Sequence, residues 1–216
     1  MFDNILSTFD PPAENPLYEG GNWAQTFNQP PLQKVLVFGG DAVATDSAHG
    51  AVNYSHWTQD QFRRGDVPIE AFACTEGGQL GAALETWRVA LWNTVTQETP
   101  EGHVGSVTGY LVYFGGAIGK GFAIRRYDTT GFTQIGASGA VGFPEMIGIR
   151  IIGAVIEAWG MYGGVWSLMA TATDSNHQGW FYPGIGIEDP TGGGLSIPCF
   201  GAGIESDPEF IRWLRV

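Results

Sequence analysis

Basic residues are scarce in this chain: ten Lys and Arg stand against 22 Asp and Glu among 216 residues, a formal net charge of −12. So few cations have little to exchange for the counterions of a polyanion, which excludes nucleic acid as a partner and insertion into, or docking on, an anionic membrane. Neutral glycans are not excluded. Cysteine is nearly absent as well. Cys74 and Cys199 lie in separate apolar runs without CxxC spacing, a pattern that suits buried thiols better than a bridge and leaves both readings open. The longest apolar stretch, Met146 to Ala170, is interrupted by Arg150, Glu157 and five glycines, so two or three buried strands explain it better than a membrane span. The N-terminal MFDNILSTFD has neither the basic nor the apolar region of a secretory leader, and the expectation is a chain that folds where it is made.

Glycine is abundant: 33 of 216 residues, about twice the average share. It punctuates strand-like runs. In GSVTGYLVYFGGAIGKGFAIRRYDTTGFTQIG, residues 105–136, three such runs (Tyr110–Phe114, Phe122–Tyr127 and Phe132–Ile135) are separated by glycine-rich turns, which predicts a β-meander. Leu84–Val95 alternates, with Trp87, Val89, Leu91 and Val95 on one side and Thr86, Arg88, Ala90, Trp92 and Thr94 on the other. Further strands are expected at Phe2–Phe9, Leu32–Phe38, Ala42–Thr45, Ala51–Trp57, Val67–Thr75, Met146–Ile152, Val155–Met161, Val165–Thr173, Phe181–Glu188, Leu195–Gly203 and Phe210–Val216. The passage from Glu14 to Trp23 reads as irregular because Pro16 and Gly20-Gly21 interrupt it. With no convincing helix, the chain is read as all-β, one domain over residues 1–216, folded as a two-sheet antiparallel sandwich. The two terminal runs are expected to lie side by side and close it.

The entry N-P-L-x-x-G-G-x-W at residues 15–23, the GYLVYF strand at 109–114, the Ile124-Arg-Arg-Tyr-Asp strand and the Asp174…Gly184-x-Gly186 return together resemble the concanavalin A-like lectin/glucanase (laminin G-like) jelly rolls. That resemblance implies a lectin-type sandwich that binds carbohydrate or serves in adhesion, in secreted bacterial proteins or as a structural protein of bacteriophage virions. Fold alone does not fix activity. The resemblance also leaves one cofactor open, calcium, with Asp46 and Asp174 as oxygen ligands, although loop Asp and Asn residues commonly serve Asx-turns instead.

Catalytic chemistry is poorly represented. The glucanase branch of that family carries an E-x-D-x-E strand, and Glu205, Asp207 and Glu209 match it formally. Here Ser206 and Pro208 replace the apolar residues that a buried strand face demands, and Pro breaks a ladder. Glu70 and Glu76 are six residues apart on one strand, about 20 Å, too far to flank one glycosidic bond. His49, His56, His103 and His177 are scattered without ligand spacing, and no hydrolase elbow, zinc or nucleotide motif occurs.

Aromatics are the better lead. Eight Trp and seven Tyr exceed what such a core needs, and aromatic faces pack on sugar C–H surfaces while a charged group holds hydroxyls. Trp92 beside Arg88 and Trp159 beside Glu157 fit that description on faces otherwise polar. If their strands share a sheet, the four converge on its solvent side. Joined to what the resemblance implies and to the lack of a leader-like segment, this makes the expected function a non-enzymatic virion structural and adhesion protein, a phage capsid decoration, fibre or tail component, homo-oligomeric and in contact with other virion proteins and with host surface carbohydrate. The alternatives are a polysaccharide-acting hydrolase or lyase and a bacterial lectin.

Overall fold

The computed structural model describes residues 5–7, 9, 13, 22–26, 32–35, 41–44, 53–75, 86–95, 107–115, 121–129, 131–139, 141–189 and 195–204. Their strands, in chain order, are β1 (Ile5–Ser7), β2 (Trp23–Gln25), β3 (Leu32–Val35), β4 (Asp41–Ala44), β5 (Asn53–Trp57), β6 (Phe62–Arg63), β7 (Ile69–Cys74) and β8 (Thr86–Val95). They continue with β9 (Val107–Gly115), β10 (Gly121–Asp128), β11 (Gly131–Ala137), β12 (Met146–Ile152), β13 (Val155–Tyr162), β14 (Val165–Thr173), β15 (Trp180–Glu188), β16 (Ser196–Ile197) and β17 (Phe200–Ile204). Every pairing is antiparallel.

Two large sheets result. One runs β1-β17-β7-β12-β13-β14, the other β11-β10-β9-β8-β15-β5-β2 with β6 paired to β15, and a small third sheet runs β16-β4-β3. The expected meander is present as β9-β10-β11. Between the large sheets lies the main core: Trp87, Val89, Leu91, Tyr110, Val112 and Phe114 from one sheet meet Ile147, Ile149, Ile151, Ile156 and Ala158 from the other. Alternation alone produces that layer, since each strand sends every second residue inward.

Four expectations require correction. Trp23 is not in an irregular passage but opens β2, buried against Phe9 and Phe200. The run expected as one strand at Leu195–Gly203 divides at Pro198 into β16 and β17, which join different sheets; proline has no N–H for a ladder. Val95 does not share a side with Trp87, Val89 and Leu91, because a bulge between Trp92 and Thr94 shifts the register and Val95 packs against the outer cluster that holds Trp92, Leu111 and Tyr113. Cys74 and Cys199 are not free thiols but a disulfide, with Cα atoms 5.0 Å apart. It joins the ends of neighbouring strands and spans 125 positions, so it restricts the unfolded chain, an effect of about 2–4 kcal/mol. As for the ends, β1 pairs with β17, and Phe210–Val216 lies outside the described residues.

Candidate functional site

The outer face of the eight-stranded sheet, away from the main core, carries a second layer rather than bare polar residues. On β8 the even positions Arg88, Ala90 and Trp92 face this way, matched by Leu111 and Tyr113 on β9, Ala123 on β10 and Tyr54 on β5. Their side chains form a closed circuit. The Trp92 ring lies 5.7 Å from Tyr54 and 5.5 Å from Tyr127, both edge-on, and Tyr127 lies 5.6 Å from Phe132. Arg125 sits over Phe132 at 4.1 Å and over Tyr113 at 4.4 Å, and Arg88 lies 5.6 Å from both Tyr113 and Tyr54. Gly109, between Tyr127 and Trp92 in register, lets the two rings meet across an intervening strand because it carries no side chain.

Within the circuit the charges are matched unequally. Arg88 is buried and ion-paired with Glu188, and it donates to the Tyr54 hydroxyl at 2.7 Å and to Thr86 at 2.8 Å. Burial pushes the Tyr54 phenol up, against the opposing pull of Arg88. His56 is buried on the same face, its ring 5.9 Å from Tyr182 and its Nδ1 3.1 Å from Thr26 Oγ1. Desolvation lowers His56 to about 4, so it is neutral at physiological pH. Along the sheet end, Phe132 is 54% and Trp180 43% exposed, Tyr127 and Tyr182 are half-buried, and Asn93 donates to the Gln178 and Trp180 carbonyls.

A second polar cluster closes the same end of the sandwich from inside. Arg64 is buried, has no acid partner among the described residues, and donates to the carbonyls of Gly153, His177 and Asp174 and to the Tyr110 hydroxyl. Tyr110 donates in turn to Asp174 Oδ1 at 2.7 Å, Asn176 N–H donates to the same oxygen at 2.8 Å, and Arg126 donates to Oδ2 at 2.6 Å. Burial works to raise Asp174, but these three donors hold it below the usual carboxylate range. This set does not fit calcium at Asp174: both oxygens are taken, and a guanidinium stands where the cation would be. Asp46 lies outside the described residues, and among the described residues no cluster of three or more His, Cys, Asp or Glu side chains is arranged to hold a metal.

The four residues expected to converge do not. Arg88 and Trp92 belong to the eight-stranded sheet, Glu157 and Trp159 to the outer face of the six-stranded one. Trp92 is 1% and Arg88 4% exposed, so neither is a solvent-facing platform; the neighbouring strands supply aromatic side chains that cover them. Glu157 and Trp159 do share a face, the indole donating to Glu157 Oε2 at 3.0 Å, and Arg150 bridges Glu157 to Glu70 at 3.1 and 3.0 Å. Sequence reading missed Arg125, Tyr127, Phe132, Trp180 and Tyr182. The parity of β10 was the available signal, since Arg125 and Tyr127 alternate with the inward Ile124 and Arg126.

No protein-family model matches the chain, and no curated protein matches it. Solved structures do. The exoplasmic/lumenal domain of VIP36 in its Ca2+/Man-bound form superposes with a TM-score of 0.61 at 7% identity, covering 93% of this chain and 88% of that one. Lectin UEA-II complexed with galactose gives 0.59 at 8%, covering 93% and 98%. The legume lectin-like domain from Entamoeba histolytica gives 0.52 at 12%, covering 91% and 98%. The fold is a lectin-type β-sandwich. In this sandwich the aromatic circuit lies on the outer face of the larger sheet, whereas the Glu70-Arg150-Glu157 ladder with Trp159 lies on the opposite side of the molecule.

Proposed function

We propose that the chain is a non-enzymatic carbohydrate-binding adhesion domain, with its glycan lying across the end of the eight-stranded sheet. The observation that carries this reading is the row Phe132, Tyr127, Tyr182 and Trp180, partly exposed aromatics on one face above a rigid buried layer. Rigid rings offer sugar C–H surfaces a platform with little entropy left to lose. The VIP36 and UEA-II structures, named for bound mannose and galactose, support it by analogy of fold. Calcium, named with VIP36, has no role in this reading, since Asp174 is already neutralised by Arg126.

Hydrolysis is disfavoured by how the acids are held. Arg126 bridges Asp128 and Asp174, and Arg150 bridges Glu70 and Glu157, so in each pair a guanidinium stands between the two carboxylates where a glycosidase needs the glycosidic bond. Glu205, Asp207 and Glu209 lie outside the described residues. The setting we propose is a bacteriophage particle, where copies of the chain on other virion proteins turn weak single sites into avid attachment to host glycan. The disulfide suits display outside a reducing cytoplasm.

A glycan array probed with the protein, beside Tyr182→Ala and Phe132→Ala variants, tests the reading. Both variants are expected to lose array binding and keep the wild-type thermal midpoint. Absence of glycan binding by the wild type, or variants that bind unchanged, overturns it. Immunogold electron microscopy of phage particles tests the setting.

A further inference from the structure

Arg125 stands apart from the other described arginines in how it is neutralised. Arg88, Arg126 and Arg150 each face carboxylates, and Arg64 is satisfied by carbonyls and a hydroxyl. Arg63 is exposed at the sheet margin. Arg125 is half-buried between two rings, Tyr113 at 4.4 Å and Phe132 at 4.1 Å, and its one hydrogen bond among the described residues goes to the Tyr113 hydroxyl at 3.2 Å. Its Nε is buried with no hydrogen-bond partner among the described residues, so the donors it can offer a ligand are its Nη groups. In a chain of net charge −12, a half-buried guanidinium that among the described residues has neither an acid nor, like Arg64, a set of carbonyls is to be explained. Stacking fixes the plane of the fork, and a fork so held presents paired N–H groups to a planar oxyanion. Gln134, directly opposite Arg125 on β11 and exposed, places an amide beside it.

From this geometry we infer that the proposed glycan is an acidic one, and that its carboxylate pairs with Arg125 while its ring rests on Phe132 and Tyr127. The inference rests on the carbohydrate-binding reading above and specifies its ligand class. One cation on a strongly acidic protein selects a sugar with a single, terminal carboxylate over a polyanion, which the surrounding field repels. Carboxylate is favoured over a phosphate monoester because it carries one charge rather than nearly two, and the surrounding acidic field opposes each added charge.

Sialyllactose and a glucuronate-terminated disaccharide serve as probes, with lactose and the carboxyl-reduced disaccharide as neutral counterparts, titrated calorimetrically. An acidic probe is expected to bind at least about tenfold more tightly than its counterpart, the range of one charge-assisted hydrogen-bond pair, and the preference is expected to shrink as salt is raised. Arg125→Gln is expected to abolish the preference and Arg125→Lys to restore only part of it. Should Arg125→Gln fail to fold, Gln134→Glu, at an exposed position, supplies an internal carboxylate to Arg125 and is expected to remove acidic-probe binding with the thermal midpoint held. Equal binding of acidic and neutral probes, or an undiminished preference in Gln134→Glu, overturns the inference and leaves the carbohydrate-binding reading standing. A protein that binds none of these probes, nor any glycan on an array, overturns both.

Discussion

The indole of Trp92 lies directly over Gly184: a Cβ built at 184 would stand 2.8 Å from the indole nitrogen and 3.0 Å from the Ser55 carbonyl oxygen. Trp92 and its cross-strand neighbour Tyr182 flank that position, so the glycine is the floor on which the buried layer rests. Because the indole is 1% exposed and bounded by Tyr54 and Tyr127, it has nowhere to retreat. Gly184→Ala is expected to lower stability by about 1–3 kcal/mol, the usual cost of overpacking. Gly65→Ala, where nothing lies within 4 Å of the new methyl, is expected to change it by less than about 0.5 kcal/mol. Urea unfolding of the two variants beside wild type decides; equal stabilities would show that the layer is loosely packed.

His56 supplies a pH dependence of definite sign. Folded, it is held to about 4 by desolvation; unfolded, it titrates at its ordinary 6.5. Below pH 6.5 the unfolded chain takes up a proton that the folded chain refuses until about pH 4, so stability falls across that window as pH falls and levels off beneath it. The gap corresponds to about 3 kcal/mol at roughly 1.4 kcal/mol per unit. His56→Gln is expected to flatten this part of the profile, read as the difference between the two proteins in urea titrations through the window. Parallel profiles would mean that His56 is solvated.

Most of the strand grammar was legible because alternation and glycine punctuation act locally. β8 is the instructive strand. Parity separates its two faces from Trp87 to Trp92, yet parity does not reveal that the face bearing Arg88 and Trp92 is covered, since burial depends on which strands lie beside it and what they carry. Tyr54 is 34 positions from Arg88 and Glu188 is 100 positions away. No local pattern announces such a partner. The disulfide was likewise settled by register, since Cys74 and Cys199 become neighbours only when β17 pairs with β7. The bulge at Asn93 was unreadable too, because its companion is Gly109 on another strand, where a Cβ would meet the Leu91 carbonyl oxygen at 2.4 Å.

Asp174 joins the loop after β14 to the eight-stranded sheet, and its removal tests whether that junction is an ion pair or a metal site. Its side chain is 8% exposed and that of Arg126 20%, so the pair is only partly screened by solvent. Asp174→Asn keeps the shape but leaves Arg126 with Asp128 alone and weakens the acceptor offered to Tyr110. A loss of about 2 kcal/mol is expected, within the range for hydrogen bonds to charged groups. Because the folded carboxyl is held below its ordinary 3.8, the contribution is complete above that pH and lost as pH falls through the lower folded value. The two proteins therefore converge in acid. Calcium discriminates the metal alternative: with both oxygens occupied by protein donors, added calcium is expected to move the thermal midpoints of wild type and Asp174→Asn by equal amounts. A rise confined to wild type would show instead that calcium displaces Arg126 and that Asp174 is a ligand.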